Sequence, residues 1–131
     1  AMQVAGADFV LSGTRFIGAR ESMVEDAYRD MLVEAVMDDV IETKAVSGVK
    51  ANWMRQSLEK AGIDPAADNR SAIDFSGDIS TANKAWKHVW SAGHGVGNIR
   101  RHETTAEIVQ TMVGEYRQAA LDSRELLNRI L

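Results

Sequence analysis

Apolar residues along the chain fall into short runs and helical stripes, separated by glycine-rich breaks. Residues 1–5 resemble the last turn of a helix, closed by Gly6 at the position after a helix end, where a left-handed backbone favours glycine. Phe9, Val10 and Leu11 form a short apolar run, the pattern of a parallel strand buried on both faces. The run stops at Ser12, Gly13 and Thr14. A helix is predicted over residues 22–37, with Ser22 as cap and Glu25 completing a capping box. Met23, Ala27, Met31 and Ala35 would form its apolar face. Residues 40–46 read as a second short strand, broken by Gly48. A second helix is expected over residues 51–61, burying Met54, Leu58 and Ala61 and ending at Gly62, with Pro65 beyond it.

Residues 64–83 carry few apolar anchors and read as a long loop, which in a compact domain is usually functional or mobile. Apolar and aromatic content returns at residues 85–89 and leads into Trp90, Ser91, Ala92, Gly93, His94, Gly95, Val96 and Gly97. Thr104 and Glu107 form a second capping-box pair. Behind them Ile108, Met112, Tyr116, Ala119, Ala120, Leu126, Leu127 and Ile130 keep a helical stripe almost to the last residue. The pattern therefore predicts three helices and two or three short strands. One buried parallel strand needs a neighbour on each side, and the pattern supplies no second one with a crossover helix. The expectation is an α/β chain whose sheet is largely upstream of Ala1.

Composition narrows the function classes. The 131 residues are 45% hydrophobic and 26% charged, the balance of a soluble globular chain. No apolar run nears the ~20 residues of a membrane-spanning helix, and no secretory signal is recognisable, which makes the cytoplasm the default location. The net charge of −4 argues against nucleic acid, whose binding normally requires a basic excess. With no cysteine there is no disulfide, thiolate metal site or Cys nucleophile. The acidic residues Glu25, Asp26, Asp30, Glu34 and Asp38 read as a solvated helix face.

Two segments have the makings of a site. The turn at Ser12, Gly13 and Thr14 follows a strand-like run, where backbone N–H groups and a hydroxyl can approach an anion. On those residues alone a tight turn is the simpler account. The second segment, residues 90–97, combines three glycines with an aromatic wall at Trp90, a hydroxyl at Ser91 and a close-approach position at Gly93. Its glycine spacing is not a dinucleotide fingerprint. His88, His94 and His102 match no familiar metal spacing, so no metal is assigned.

Together these segments resemble the C-terminal part of the nitronate monooxygenase (2-nitropropane dioxygenase) family. Gly6, Ala7 and Asp8, the apolar run, then Gly13, Thr14, Arg15 and Phe16 are similar to the family's final barrel strand. The stretch from Gly48 to Trp53 is similar to a segment following the barrel, and Trp90, Ser91, Ala92 and Gly93 to a late family motif. The first motif is shared with related flavin barrels, including the flavin-type enoyl reductases.

The resemblance implies an α/β fold, the C-terminal part of a (β/α)8 TIM barrel. Residues 1–22 would be its last strand and phosphate-binding turn, and residues 23–131 a mostly helical segment covering the site. It implies FMN held at Ser12, Gly13 and Thr14, and a substrate pocket shaped by Ser91, Trp90 and Gly93. The implied activity is oxidation of alkyl nitronates with O2, with a homo-oligomer allowed. The family's catalytic histidine belongs to an upstream segment that this sequence does not contain. No catalytic residue is therefore assigned here, His94 has no role, and the chain alone is expected to be inactive. The alternatives are a non-catalytic helical interaction module, or a related flavin barrel such as a flavin-type enoyl reductase.

Overall fold

The computed structural model describes Met2, residues 5–67 and residues 89–130. Those residues form a mixed α/β structure with a small two-stranded sheet and helices. The order is α1 (Thr14–Ile17), α2 (Asp26–Glu34), a 3₁₀ turn (Met37–Asp39), β1 (Val40–Thr43), β2 (Ala51–Met54), α3 (Arg55–Lys60), a second 3₁₀ turn (His94–Asn98) and α4 (Thr105–Ile130). Most of the loop expected at residues 64–83, together with His88, lies outside the described residues.

Phe9, Val10 and Leu11 correct the first expectation. They form no strand and are 93, 64 and 100% exposed. A parallel strand buried on both faces requires neighbours to accept its hydrogen bonds, and the sheet among the described residues is β1 with β2 alone. Just before it, Gly6 takes the expected left-handed backbone with φ +98°. The turn it ends is closed by the Ala7 N–H donating to the Met2 carbonyl at 3.0 Å.

α2 is shorter than the predicted helix, for reasons visible in its first turn. The Ser22 hydroxyl donates to the Ile17 carbonyl at 2.7 Å instead of capping. The Arg29 guanidinium takes the carbonyls of Ser22 and Val24 at 3.1 and 3.0 Å, acceptors that a longer helix would have used itself. Its buried face is Tyr28, Met31, Leu32 and Ala35, a helical i, i+3, i+4, i+7 set. Met23 and Ala27 are exposed. The bulkier Tyr28 and Leu32 rotate the helix by about one residue from the predicted face. The acidic residues Glu25, Asp26, Asp30, Glu34 and Asp38 are all exposed.

The second predicted helix is instead a strand running straight into a helix. β1 and β2 pair antiparallel, with Val40 opposite Met54 and Thr43 opposite Ala51. Gly48, at φ +74°, makes the return between them. Alternation along β2 sends Trp53 and Met54, both fully buried, into two different clusters. Met54 joins the α2 face with Ala92, Val96 and Ile99. Trp53 packs with Leu58 and Val89. α3 ends as expected at Gly62, φ +66°, where the N–H groups of Gly62 and Ile63 donate to the carbonyls of Glu59 and Leu58. That is a Schellman closure, with Ile63 packed on the cluster that contains Leu58. Ala61, expected in the core, is exposed.

α4 begins as its capping box predicts: the Glu107 carboxylate accepts from the Thr104 N–H at 2.7 Å, and the Thr104 hydroxyl accepts from the Glu107 N–H at 3.2 Å. Glu21 adds a carboxylate on the Thr105 N–H at 3.0 Å, where the helix dipole favours negative charge. Of the predicted stripe on α4, Ile108 alone is buried.

Candidate functional site

Gly13 caps α1 and Thr14 is its first residue, so the glycine turn and the short helix are one unit. Gly13 is exposed, and open space lies where a side chain would stand. Ser12 beside it is half-buried. The second candidate segment, 79 residues away, comes directly to this turn: the Gly93 N–H donates to the Thr14 hydroxyl at 2.8 Å. A Cβ on Gly93 would stand 3.4 Å from that hydroxyl oxygen, in van der Waals contact with it. The structure thus joins two segments that were separate in the sequence reading.

The backbone around Trp90 and Ser91 is fixed from the other side by β2 and α3. The Met54 N–H donates to the Trp90 carbonyl at 2.9 Å, and Ser91 forms an antiparallel bridge with Trp53. The Trp90 N–H donates to the Ser57 hydroxyl at 2.7 Å. The Trp90 ring, half-buried, stacks on Tyr28 with centroids 4.9 Å apart and planes 8° from parallel. Lys60 places its Nζ 5.9 Å from the Trp90 ring centroid on an outer side of this stack.

Tyr28 was absent from the sequence reading. Its hydroxyl donates to the Ser91 carbonyl. Burial pushes the hydroxyl's pKa above the ordinary tyrosine range, and hydrogen bonding to Ser91 offsets part of that rise. Tyr28 therefore stays a neutral donor, and it sets both the plane of Trp90 and the position of Ser91. Its signal in the sequence was an aromatic one position from the predicted apolar face of a helix.

A second unforeseen group secures the turn. Glu103 is buried at 4% exposure and pairs with Arg15 and, at 3.2 Å, with Arg101. Arg15 also donates to the Asn98 carbonyl, at the end of the second 3₁₀ turn. The backbones meet as well: Ala19 and Glu103 form a parallel bridge, and the Arg20 N–H donates to the Glu103 carbonyl at 2.9 Å. One carboxylate thus ties the segment after Thr14 to the segment after Gly93. In the sequence Glu103 follows Arg100, Arg101 and His102 and looks like part of a solvated charged run.

The histidines do not converge. His94 is exposed, and His102 Nε2 lies 3.0 Å from the Asp30 carboxylate. Among the described residues no group of three His, Cys, Asp or Glu is placed to hold a metal ion. No helix of the described residues is long and apolar enough to cross a membrane.

A family model described as nitronate monooxygenase matches residues 1–115. A nitronate monooxygenase of Paraburkholderia phytofirmans is 26% identical over 130 residues, covering 94% of this chain and 36% of the relative. Among solved structures, FabK from Thermotoga maritima superposes with a TM-score of 0.67 at 20% identity, over 94% of this chain and 41% of that one. A point mutant of the same protein gives 0.64 at 22% identity, over 94% and 38%. The chain thus spans about a third of the length of the curated relative it matches.

Proposed function

The chain belongs to the nitronate monooxygenase family, and from that premise we propose that it forms the flavin- and substrate-facing C-terminal part of an FMN-dependent oxidoreductase. The observation that carries this reading is the hydrogen bond from the Gly93 N–H to the Thr14 hydroxyl. It puts a glycine turn suited to an anion next to a segment suited to a planar, mostly apolar ligand. The fold likeness to FabK, a TIM-barrel enzyme, supports reading residues 1–22 as the last barrel strand with its turn, and residues 23–131 as the covering segment. Residues 9–11 would take up their strand only beside barrel neighbours.

The chain's own residues fit an FMN phosphate and ring edge in part. The exposed backbone of Gly13, with the half-buried Ser12 and Thr14 on either side, would hold the phosphate, as last-strand loops of barrels often do. Bound FMN would supply the redox chemistry, accepting electrons from an alkyl nitronate and passing them to O2. Ser91 would hold the substrate with its hydroxyl, kept in place by Tyr28 on one side and β2 on the other. Trp90 would form an apolar wall that limits water, and Gly93 leaves room for the ligand to approach. The partners of this reading are a small nitronate and O2, with no nucleic acid or membrane, in the cytoplasm.

The test is FMN binding by fluorescence quenching, on the 131-residue chain and on a polypeptide extended upstream to a barrel of about 250 residues. Binding by the longer form alone is expected. Ser91→Ala in that form should then lower kcat/KM for nitronate about tenfold, the worth of one hydrogen bond. No binding by either form would overturn the flavin assignment and leave a helical interaction module. The likeness to FabK favours one second reading, a flavin-type enoyl reductase. Steady-state assays of the longer form with a nitronate and O2, against an enoyl thioester and a nicotinamide donor, separate the two.

A further inference from the structure

α4 is 26 residues long, yet among them Ile108 alone is buried. Helices in proteins usually owe their stability to packing of an amphipathic face, and beyond Ile108 the large apolar residues of α4 are exposed. Its apolar positions are ordered. Met112, Tyr116, Ala119, Ser123, Leu126 and Ile130 follow alternating steps of four and three residues, the spacing of a coiled-coil seam. The large members of the seam are exposed: Met112 by 37%, Tyr116 by 59%, Leu126 by 57% and Ile130 by 70%. Five of the six lie beyond residue 115, where the family match ends, so the family match does not account for them.

We propose that α4 pairs with α4 of a second copy of this chain, as an antiparallel coiled coil centred near Leu121. The charges beside the seam select this arrangement. Glu115, Asp122 and Arg129 recur every seven residues along one flank, while the other flank carries Val113, Ala120 and Leu127. A parallel pair would set the charged flank against the apolar one and leave the charges unmatched. An antiparallel pair sets each flank against its own reversed copy. In the register that places Met112 beside Ile130 of the second copy, Glu115 meets Arg129 at both ends of the interface. Val113 then meets Leu127 across the apolar flank. A shift of one heptad would instead set Glu115 against Asp122, like against like. In the favoured register Asp122 is the one charged flank residue that faces its own copy, and its carboxylate already accepts from Gln118 at 2.7 Å. The centre is lined by Ala119, Ala120 and Ser123, small residues that let the two helices approach closely. The arrangement is a closed two-fold contact, so it makes a dimer and stops there.

Sedimentation equilibrium on the 131-residue chain should show a dimer. Glu115→Arg or Arg129→Glu alone should weaken dimerisation about tenfold, because each replaces two attractive contacts with two repulsive ones. Combining the two substitutions should restore it. A chain that stays monomeric up to high micromolar concentration overturns the proposal. So does association that ignores the charge swap, as contact through the exposed residues 9–11 would. The chain has no cysteine of its own, so introduced thiols report the register. Ala120→Cys should cross-link to itself, and Val113→Cys should cross-link only when mixed with Leu127→Cys. Self-cross-linking of Val113→Cys would overturn the antiparallel register.

Discussion

α2 and α4 show how little helix length says about what a helix contributes. α2 has nine residues and buries Tyr28, Met31 and Leu32, and it forms one wall of the cluster beneath the candidate site. α4 has 26 residues and buries Ile108. The short helix is held by packing and is imperfectly capped, with no side-chain bond at Glu25. The long one is held by its ends and surface: the capping box, the Glu21 carboxylate and the Arg129–Glu125 pair. A helix can be fixed from its core or from its caps, and in this chain the part that shapes the site is fixed from its core.

That contrast predicts a graded series. The largest effect should come from Glu103→Ala, which removes the joint between the two halves of the site and leaves the half-buried Arg15 cation without its carboxylate. A loss of about 4 kcal/mol is expected in urea unfolding. A loss below about 1 kcal/mol would show that the pair is solvated and that the backbone bridge alone holds the segments. Leu32→Ala, in the core face of α2, should cost about 3 kcal/mol by leaving a cavity. Thr104→Ala should cost about 1 kcal/mol, seen as fraying of α4 by circular dichroism, because it removes half of the capping box. Leu121→Ala lies on exposed α4 outside the proposed seam, and should shift stability by less than about 0.5 kcal/mol. If it cost as much as Leu32→Ala, the contrast between the helices would fail.

The capping carboxylate adds a pH dependence. Hydrogen bonds from the Thr104 backbone and hydroxyl hold Glu107 below the ordinary glutamate range. A carboxylate whose folded pKa is depressed adds stability that is complete above its unfolded pKa. That stability is lost as pH falls through the lower folded value. Circular dichroism of α4 should therefore weaken on acidification below the ordinary value of 4.5. Glu107→Gln should remove that part of the titration, leaving whatever other carboxylates contribute.

What was legible in the sequence was local. Thr104 with Glu107, Gly6 and Gly62 each signal through neighbours a few residues away, and each behaves as read. Elements decided by distant partners were misread. Residues 51–54 suit a helix by pattern, but pairing with β1 makes them a strand. Residues 9–11 suit a buried strand, but nothing among the described residues pairs with them. Thr14, Ser91 and Gly93 could be picked out as residue types able to hold a ligand. Their meeting depends on contacts across about 80 positions, which no local pattern encodes. Tyr28 and Glu103 were missed for the same reason: each looks like an ordinary helix or surface residue until the partner it touches is known.

The hydrogen bond between Thr14 and Gly93 and the ion pair between Arg15 and Glu103 span 79 and 88 residues of sequence. Closing loops of that size must be repaid before such contacts gain anything, and non-local contacts of this kind slow folding. The backbone hydrogen bonds of α2, the β1–β2 hairpin and α3 join residues close in sequence, while the joint beside the glycine turn waits for the chain to return upon itself. The candidate site should thus be among the last regions to gain protection from hydrogen exchange during refolding. A ligand would meet it only on molecules whose folding is already complete.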